Sequence, residues 1–246
     1  MSFERAVILS AGKGSRLLPL TEDRPKCLID FSGRTLLEWQ LDALRAGGVR
    51  DITVVTGFRS DLVDAVIAAR GDPGVRTLFN PFYHVAENVG SVWMARERMQ
   101  DDFLILNGDT LIAPEIVARV VQSDAPITVT IDEKPDYDED DMKVVRSGDR
   151  LVRIGKVLDD DIPDAESIGF LAFRGDGARQ FVASVDAILH DPVGVTSWYL
   201  KVIDRIAPSG TVSTRSIKGL EWAEVDYPAD LDIARALTDK WAAAGR

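Results

Sequence analysis

The twenty residues LSAGKGSRLLPLTEDRPKCL, 9–28, hold the densest chemistry in the chain. Gly12 and Gly14, with the small residues Ser10, Ala11 and Ser15 around them, allow consecutive backbone N–H groups to converge as a nest for phosphate oxygens. Arg16 and Lys26 add a cation on either side of a loop stiffened by Pro19 and Pro25. Three phosphate-binding loops begin with glycines behind a strand, and spacing separates them. A P-loop requires G-x-x-x-x-G-K followed by Ser or Thr, and the order Gly12-Lys13-Gly14-Ser15-Arg16 does not supply it. A dinucleotide fingerprint requires a third glycine where Leu17 stands and a helix that starts at once, whereas the prolines keep this segment irregular to about residue 26. What remains is an ordinary tight turn or a loop able to wrap a triphosphate, with N–H groups from Ala11 to Ser15 and the two cations neutralising its oxygens.

Further candidates lie downstream. Asp109 closes the apolar run FLILNGD (103–109), at the carboxyl end of a buried strand, where α/β sheets bind ligands; Asn-Gly-Asp is also an ordinary turn. Asp226 in WAEVDYPADL is either a site residue or a helix N-cap ahead of Pro228. Trp198 and Tyr199 in TSWYL offer ring faces to a cation, although SWYLKVIDRI has helical spacing that places an aromatic in the core.

Short apolar runs alternate with amphipathic segments, the mark of βαβ units and a mainly parallel sheet. Strands are predicted at 6–9, 52–55, 76–80, 103–109 and 127–132, with helices at 35–48, 60–71, around 90–99 and from Pro114. Ser60 and Asp61 open one helix, and Gly47 and Gly48 close another. The run DEKPDYDEDD (132–141) has seven acidic residues in ten and reads as a solvated loop. A hairpin turning at residues 147–149, a strand at 167–173, helices at 176–189 and 195–206, strands at 211–217 and 222–226, and a last helix from Pro228 complete the pattern.

The 246 residues carry a formal charge of −11, are 46% hydrophobic and include one cysteine, Cys27. Such a balance excludes nucleic acid and anionic membranes as partners, because both demand a basic face. A single cysteine permits no intrachain disulfide and fits the cytoplasm. MSFERAVIL is too short an apolar run for a signal peptide, and no stretch reaches membrane-spanning length.

Residues 9–26 match every defined position of L-x-A-G-x-G-S/T-R-L-x-P-L-T-x-x-x-P-K, and the chain thereby resembles the nucleotidyltransferases that make nucleoside-diphosphate sugars and alcohols. NGD at 107–109 and WAEVDYPADL at 222–231 extend the likeness. The resemblance implies a GT-A-like α/β fold: a Rossmann-like three-layer sandwich with a mixed, mainly parallel central sheet and a small acceptor-binding lid. It also implies one domain over 1–246, with a nucleotide part to about 132, an acceptor part to about 226 and a C-terminal helix. Arg16 would hold the β and γ phosphates, Lys26 the reacting phosphate, and Asp109 with Asp226 a Mg²⁺ ion. Asn88, Gly90 and Ser91 in AENVGS would read base and ribose, though Ser91 could instead cap a helix. Lys156, Glu166, Gly169 and Trp198 would meet the acceptor.

FNPFYHVAENVGSVWMA is similar to the phosphocholine cytidylyltransferase-like branch, which implies CTP and a phosphocholine-like acceptor. Acidic runs at 136–141 and 159–166 would attract its cationic head group. Inositol 1-phosphate, a phosphonate and a sugar 1-phosphate are alternative acceptors, and a monomer or homodimer is expected. Two other classes compete: a non-catalytic nucleotide-binding regulator, and a dinucleotide oxidoreductase using Asp30 or Glu38 as its ribose acid.

Overall fold

The structure is a computed structural model and describes residues 3–158 and 161–246. Strand β1 (Arg5–Ser10) leads directly into the glycine loop. A two-residue turn at Ser32 and Gly33, both with positive φ, joins the short strands β2 (Asp30–Phe31) and β3 (Arg34–Thr35). Helix α1 (Leu36–Ala46) starts on a capping box in which the Thr35 hydroxyl accepts from Glu38 N and the Glu38 carboxylate accepts from Thr35 N. Such a box stabilises a helix start by about 1 kcal/mol. It also commits Glu38, so the ribose acid of a dinucleotide site is not there.

Strand β4 (Asp51–Thr56), helix α2 (Ser60–Arg70) and strand β5 (Val75–Phe79) complete the first βαβ units. Helix α3 (Asn88–Met94) precedes β6 (Phe103–Asn107), and the short β7 (Thr110–Ile112) follows after a two-residue turn. Helix α4 (Pro114–Val120) and β8 (Ile127–Asp132) lead to the hairpin of β9 (Lys143–Ser147) and β10 (Arg150–Gly155). Next come β11 (Ala165–Phe173), α5 (Gly175–Leu189), α6 (Leu200–Ile206), β12 (Val212–Ser216), β13 (Trp222–Glu224) and α7 (Asp230–Ala243).

Nine strands form one sheet in the order β5-β4-β1-β6-β11-β8-β12-β10-β9. Pairing is parallel from β5 through β6 and between β8 and β12, and antiparallel at the other neighbours. The sheet is mixed, its parallel part confined largely to the first half of the chain. Both faces are covered. Along β6, Phe103 and Ile105 join one apolar cluster with Phe173, Phe181 and Tyr199, while Leu104 and Leu106 join the opposite one with Leu37 and Leu41. That alternation is the period of two expected of a strand buried on both sides, and it produces the three layers. A third cluster packs Leu17, Phe31, Trp39, Leu111 and Val225 under Trp241 of α7, so the C-terminal helix clamps the glycine loop to α1.

Two helices differ from the sequence expectation. The segment from 195 is a 3-10 turn at Gly194–Thr196, and extended Ser197 interrupts it before α6 begins at Leu200. Helix α3 begins at Asn88 and ends at Met94, where Ala95 leaves helical geometry ahead of a 3-10 turn at Arg96–Arg98.

Candidate active site

Pairing outside the main sheet assembles the site. β7 and β13 form a two-stranded antiparallel sheet with Thr110 opposite Glu224, and Val225 N donates to Asp109 O at 3.0 Å just beyond it. The turn ending β6 and the segment leaving β13, far apart in sequence, therefore present Asp109, Glu224 and Asp226 together. Carboxylate oxygens of the three lie within 4.8 Å of one another.

The glycine loop delivers the cations to this acidic centre. Gly14 has φ 76°, its carbonyl accepts from the Thr21 hydroxyl at 2.7 Å, and a Cβ there would stand 2.8 Å from the Lys26 Cβ. Only glycine leaves Lys26 room to pack against the loop. Lys26 Nζ then donates to Asp109 Oδ2 at 3.0 Å and to Asp226 Oδ1. Burial opposes the lysine charge, but the two carboxylates outweigh it and hold the pKa above the ordinary lysine value. Arg16 reaches the other oxygen of Asp226 at 3.2 Å and lies over the Tyr227 ring, 5.0 Å from its centroid.

Two clefts meet here. One is lined by Ser10, Ala11, Gly12, Gly14, Lys26 and Ser91. The other is lined by Arg16, Lys156, Glu166, Gly169, Trp198 and Asp226, and Asn88, Asn107 and Glu87 form their common wall. Lys156, just past β10, pairs with Asp140 at 3.2 Å and sits over the Trp198 ring, 4.9 Å from its centroid. Trp198 is half-exposed, whereas Tyr199 is fully buried and donates its hydroxyl to Asn107 Oδ1 at 3.1 Å. Of the two readings the sequence leaves open for TSWYL, Tyr199 takes the core one and Trp198 lines the cleft. Gly169 lies in a register shift of β11 with φ 72°, and a Cβ there would stand 2.3 Å from Asn107 Nδ2.

Glu166 is buried on β11 and pairs with Lys134 at 2.9 Å. Burial, countered by Lys134 and reinforced by neighbouring Asp141, pushes its pKa up to about 7. Glu224 lines the same cleft and is exposed to solvent, yet the surrounding protein and the carboxylates of Asp109 and Asp226 push its pKa up to about 8.

The remaining sequence candidates fall as follows. Ser15 is exposed and starts a 3-10 turn away from both clefts. Gly90 lies one layer back, where a Cβ would stand 2.8 Å from Ala86 Cβ, so close packing accounts for it. Ser91 does not cap α3, which starts three residues earlier; its hydroxyl accepts from Asn80 Nδ2 at 3.1 Å. Nor is Asp226 a helix cap: the Asp230 carboxylate accepts from the N–H groups of Asp226 and Tyr227.

The acidic stretch 132–141 is not simply a solvated loop. Asp140 accepts from Tyr227 and pairs with Arg16 as well as Lys156, and Asp141 pairs with Lys134. Of the second acidic run, 159 and 160 lie outside the described residues, and Asp161 and Asp164 pair with Arg153 and Arg146. Sequence reading missed Glu224, Asn107 and Gln40, and took Asp140 only as part of an acidic run. A signal existed for Glu224, because residues two apart in extended chain share a face.

The carboxylate trio suits a hard divalent cation such as Mg²⁺, which prefers oxygen donors, and the donor set accommodates one at Asp109, Glu224 and Asp226.

Known proteins share this architecture. A bifunctional IPC transferase and DIPP synthase from Rubrobacter xylanophilus is 32% identical over 247 residues, covering 98% of this chain and 53% of that protein, so the chain spans about half its length. A CTP:phosphoglutamine cytidylyltransferase from Campylobacter jejuni is 24% identical over 93% of this chain and 98% of its own. The inositol-1-phosphate CTP transferase structure from T. maritima superposes with a TM-score of 0.83 at 21% identity, over 97% of this chain and 96% of that one. This likeness carries the GT-A-like α/β fold. The model of the MobA-like NTP transferase domain matches residues 6–147, most of the sheet and the whole glycine loop. The chain belongs to the family of MobA-like NTP transferase domains.

Proposed function

We propose that this chain transfers a cytidylyl group from CTP to a small phosphate monoester. A phosphate oxygen of the acceptor forms a bond to the α-phosphorus, the bond from that phosphorus to the α–β bridging oxygen breaks, and pyrophosphate leaves. One observation carries the reading: a glycine nest, two cations and three carboxylates converge where two clefts share a wall. Catalysis of this kind is alignment plus electrostatic stabilisation. N–H groups of Ala11 to Gly14 and the Arg16 guanidinium hold the triphosphate, and Lys26 neutralises charge on the reacting phosphate. Asn88 and Ser91 face the base and ribose. Lys156 takes the acceptor phosphate. Mg²⁺ held by Asp109 and Asp226, with Glu224 beside them, supplies Lewis-acid charge neutralisation when bound.

For the acceptor, a polyol phosphate such as inositol 1-phosphate fits best. The acceptor side presents the carboxyl groups of Glu166 and Glu224, which accept from hydroxyl groups when ionised and donate to them when protonated. Enclosing a quaternary ammonium takes free ring faces, and Lys156 covers Trp198, the one ring among the described residues that line that cleft. Phosphocholine stays as the second reading, because half-exposed Trp198 beside the acidic loop would attract a cation once Lys156 moved to a phosphate.

A pyrophosphate-release screen crossing four nucleoside triphosphates with inositol 1-phosphate, phosphocholine, an aminoalkylphosphonate and hexose 1-phosphates tests both layers. CTP with inositol 1-phosphate is expected to turn over fastest. Turnover with phosphocholine alone would overturn the acceptor, and no turnover with CTP would overturn the nucleotide.

A further inference from the structure

The apolar stripe of α1 is interrupted by one amide. Leu36, Leu37, Trp39, Leu41, Ala43 and Leu44 are buried there, and Gln40 lies among them with no exposed surface. Its Nε2 donates to two backbone carbonyls, Asn107 O at 2.8 Å and Thr110 O at 2.9 Å. Those carbonyls bracket Gly108 and Asp109. From the neighbouring strand, Leu9 O of β1 accepts from Gly108 N at 3.1 Å, and a Cβ at 108 would stand 2.4 Å from that oxygen, so β1 lies tight against the turn. The Oε1 of Gln40 is buried and has no hydrogen-bond partner among the described residues. A buried acceptor left unpaired is unfavourable, and a leucine or methionine would remove that defect from the stripe. The amide is thus costly as packing and is accounted for by what its nitrogen holds.

We infer that Gln40 is a positioning residue for Asp109: it fixes the Asn107–Thr110 turn so that the Asp109 carboxylate stands opposite Asp226. The inference rests on the proposed reading of Asp109 and Asp226 as divalent-cation ligands. Gln40 touches neither ligand nor carboxylate and acts only through the two carbonyls.

Mn²⁺ binding to the whole chain, followed by the electron paramagnetic resonance signal of free Mn²⁺, separates this role from a structural one. Gln40→Met keeps volume and loses both donated bonds; affinity for Mn²⁺ is expected to fall about tenfold or more, the range seen when groups orienting a ligand are removed. Gln40→Glu, buried and protonated, retains one donor and is expected to fall between. Thr238→Val serves as control, because it deletes a fully buried hydroxyl that donates to Ala234 O at 2.9 Å in α7, remote from the turn. Its Mn²⁺ affinity should equal that of the parent chain despite a lower Tm. Should Gln40→Met only lower the Tm, as the control does, with Mn²⁺ affinity unchanged, the positioning role is wrong. Should the parent chain bind no Mn²⁺, the carboxylate trio is no metal site and the proposed function falls with it. If Gln40→Met does not fold, Gln40→Glu carries the same comparison, and unaltered Mn²⁺ affinity in it overturns the inference equally.

Discussion

Lys26 stands between Asp109 and Asp226 in the place a cation between two carboxylates would take. Its ammonium and a divalent ion therefore compete for the same oxygens. Lys26→Ala is expected to lower turnover by about a hundredfold or more, the scale of losing one charge-stabilising donor. It should also increase the rise in Tm that Mg²⁺ produces, because the competing charge is gone. A Tm response to Mg²⁺ smaller than in the parent chain would contradict the bridging geometry. Lys26 and Arg16 were legible in the sequence because an eighteen-residue signature frames them. Glu224 and Asp140 were less so: the spacing of Glu224 from Asp226 and the acidic run around Asp140 were the local signals, and the partners that give each its place lie far along the chain.

At the level of elements, the alternation of apolar runs with amphipathic helices was readable, and most strands and helices fall where periodicity places them. The decisive pair was readable only in part: 222–226 reads as a strand and β13 forms there, whereas β7 and the pairing itself went unread. β7 and β13 are three residues each, too short for a period to register, yet their pairing is what sets Asp109 beside Asp226. The β11 irregularity is the other such device. Gly169→Ala forces an L side chain to φ 72° and drives its Cβ against Asn107. A destabilisation of about 1–3 kcal/mol is expected, read as a shift in the urea midpoint together with lost turnover. Gly148→Ala, at φ 62° with open space around the added carbon, isolates the backbone part and should cost about 1 kcal/mol. Equal shifts for the two variants would mean that Asn107 yields and the contact is unimportant.

The whole molecule is acidic, and its stability should register that in a defined pH window. Glu166 holds its proton to about pH 7 in the folded chain, against an ordinary value of 4.5. Between those values the native state binds a proton that the unfolded chain has lost, so stability falls as pH rises through the window. Glu166→Gln removes the titration. Its unfolding free energy should vary less than the parent's from about pH 5 to about pH 8, with a relative gain of about 1–3 kcal/mol at the upper end. Chemical denaturation at several pH values reads the difference, and parallel profiles would refute it.

Asp140 gives the binding cleft a resident anion. Hydrogen bonds from Tyr227 and Lys156 hold its carboxyl below the ordinary range, so it is ionised at neutral pH, and it faces Lys156 at 3.2 Å and Arg16 at 3.5 Å. A phosphate reaching those cations does not enter a bare electropositive hole. It exchanges with a carboxylate, as an ion does on a resin, and its binding gains only the difference between two anions. Exchange of this kind favours a dianion over a monoanion at each cation. On the proposed reading, phosphate monoesters would then displace the loop, while carboxylates and phosphodiesters of similar size would be held off.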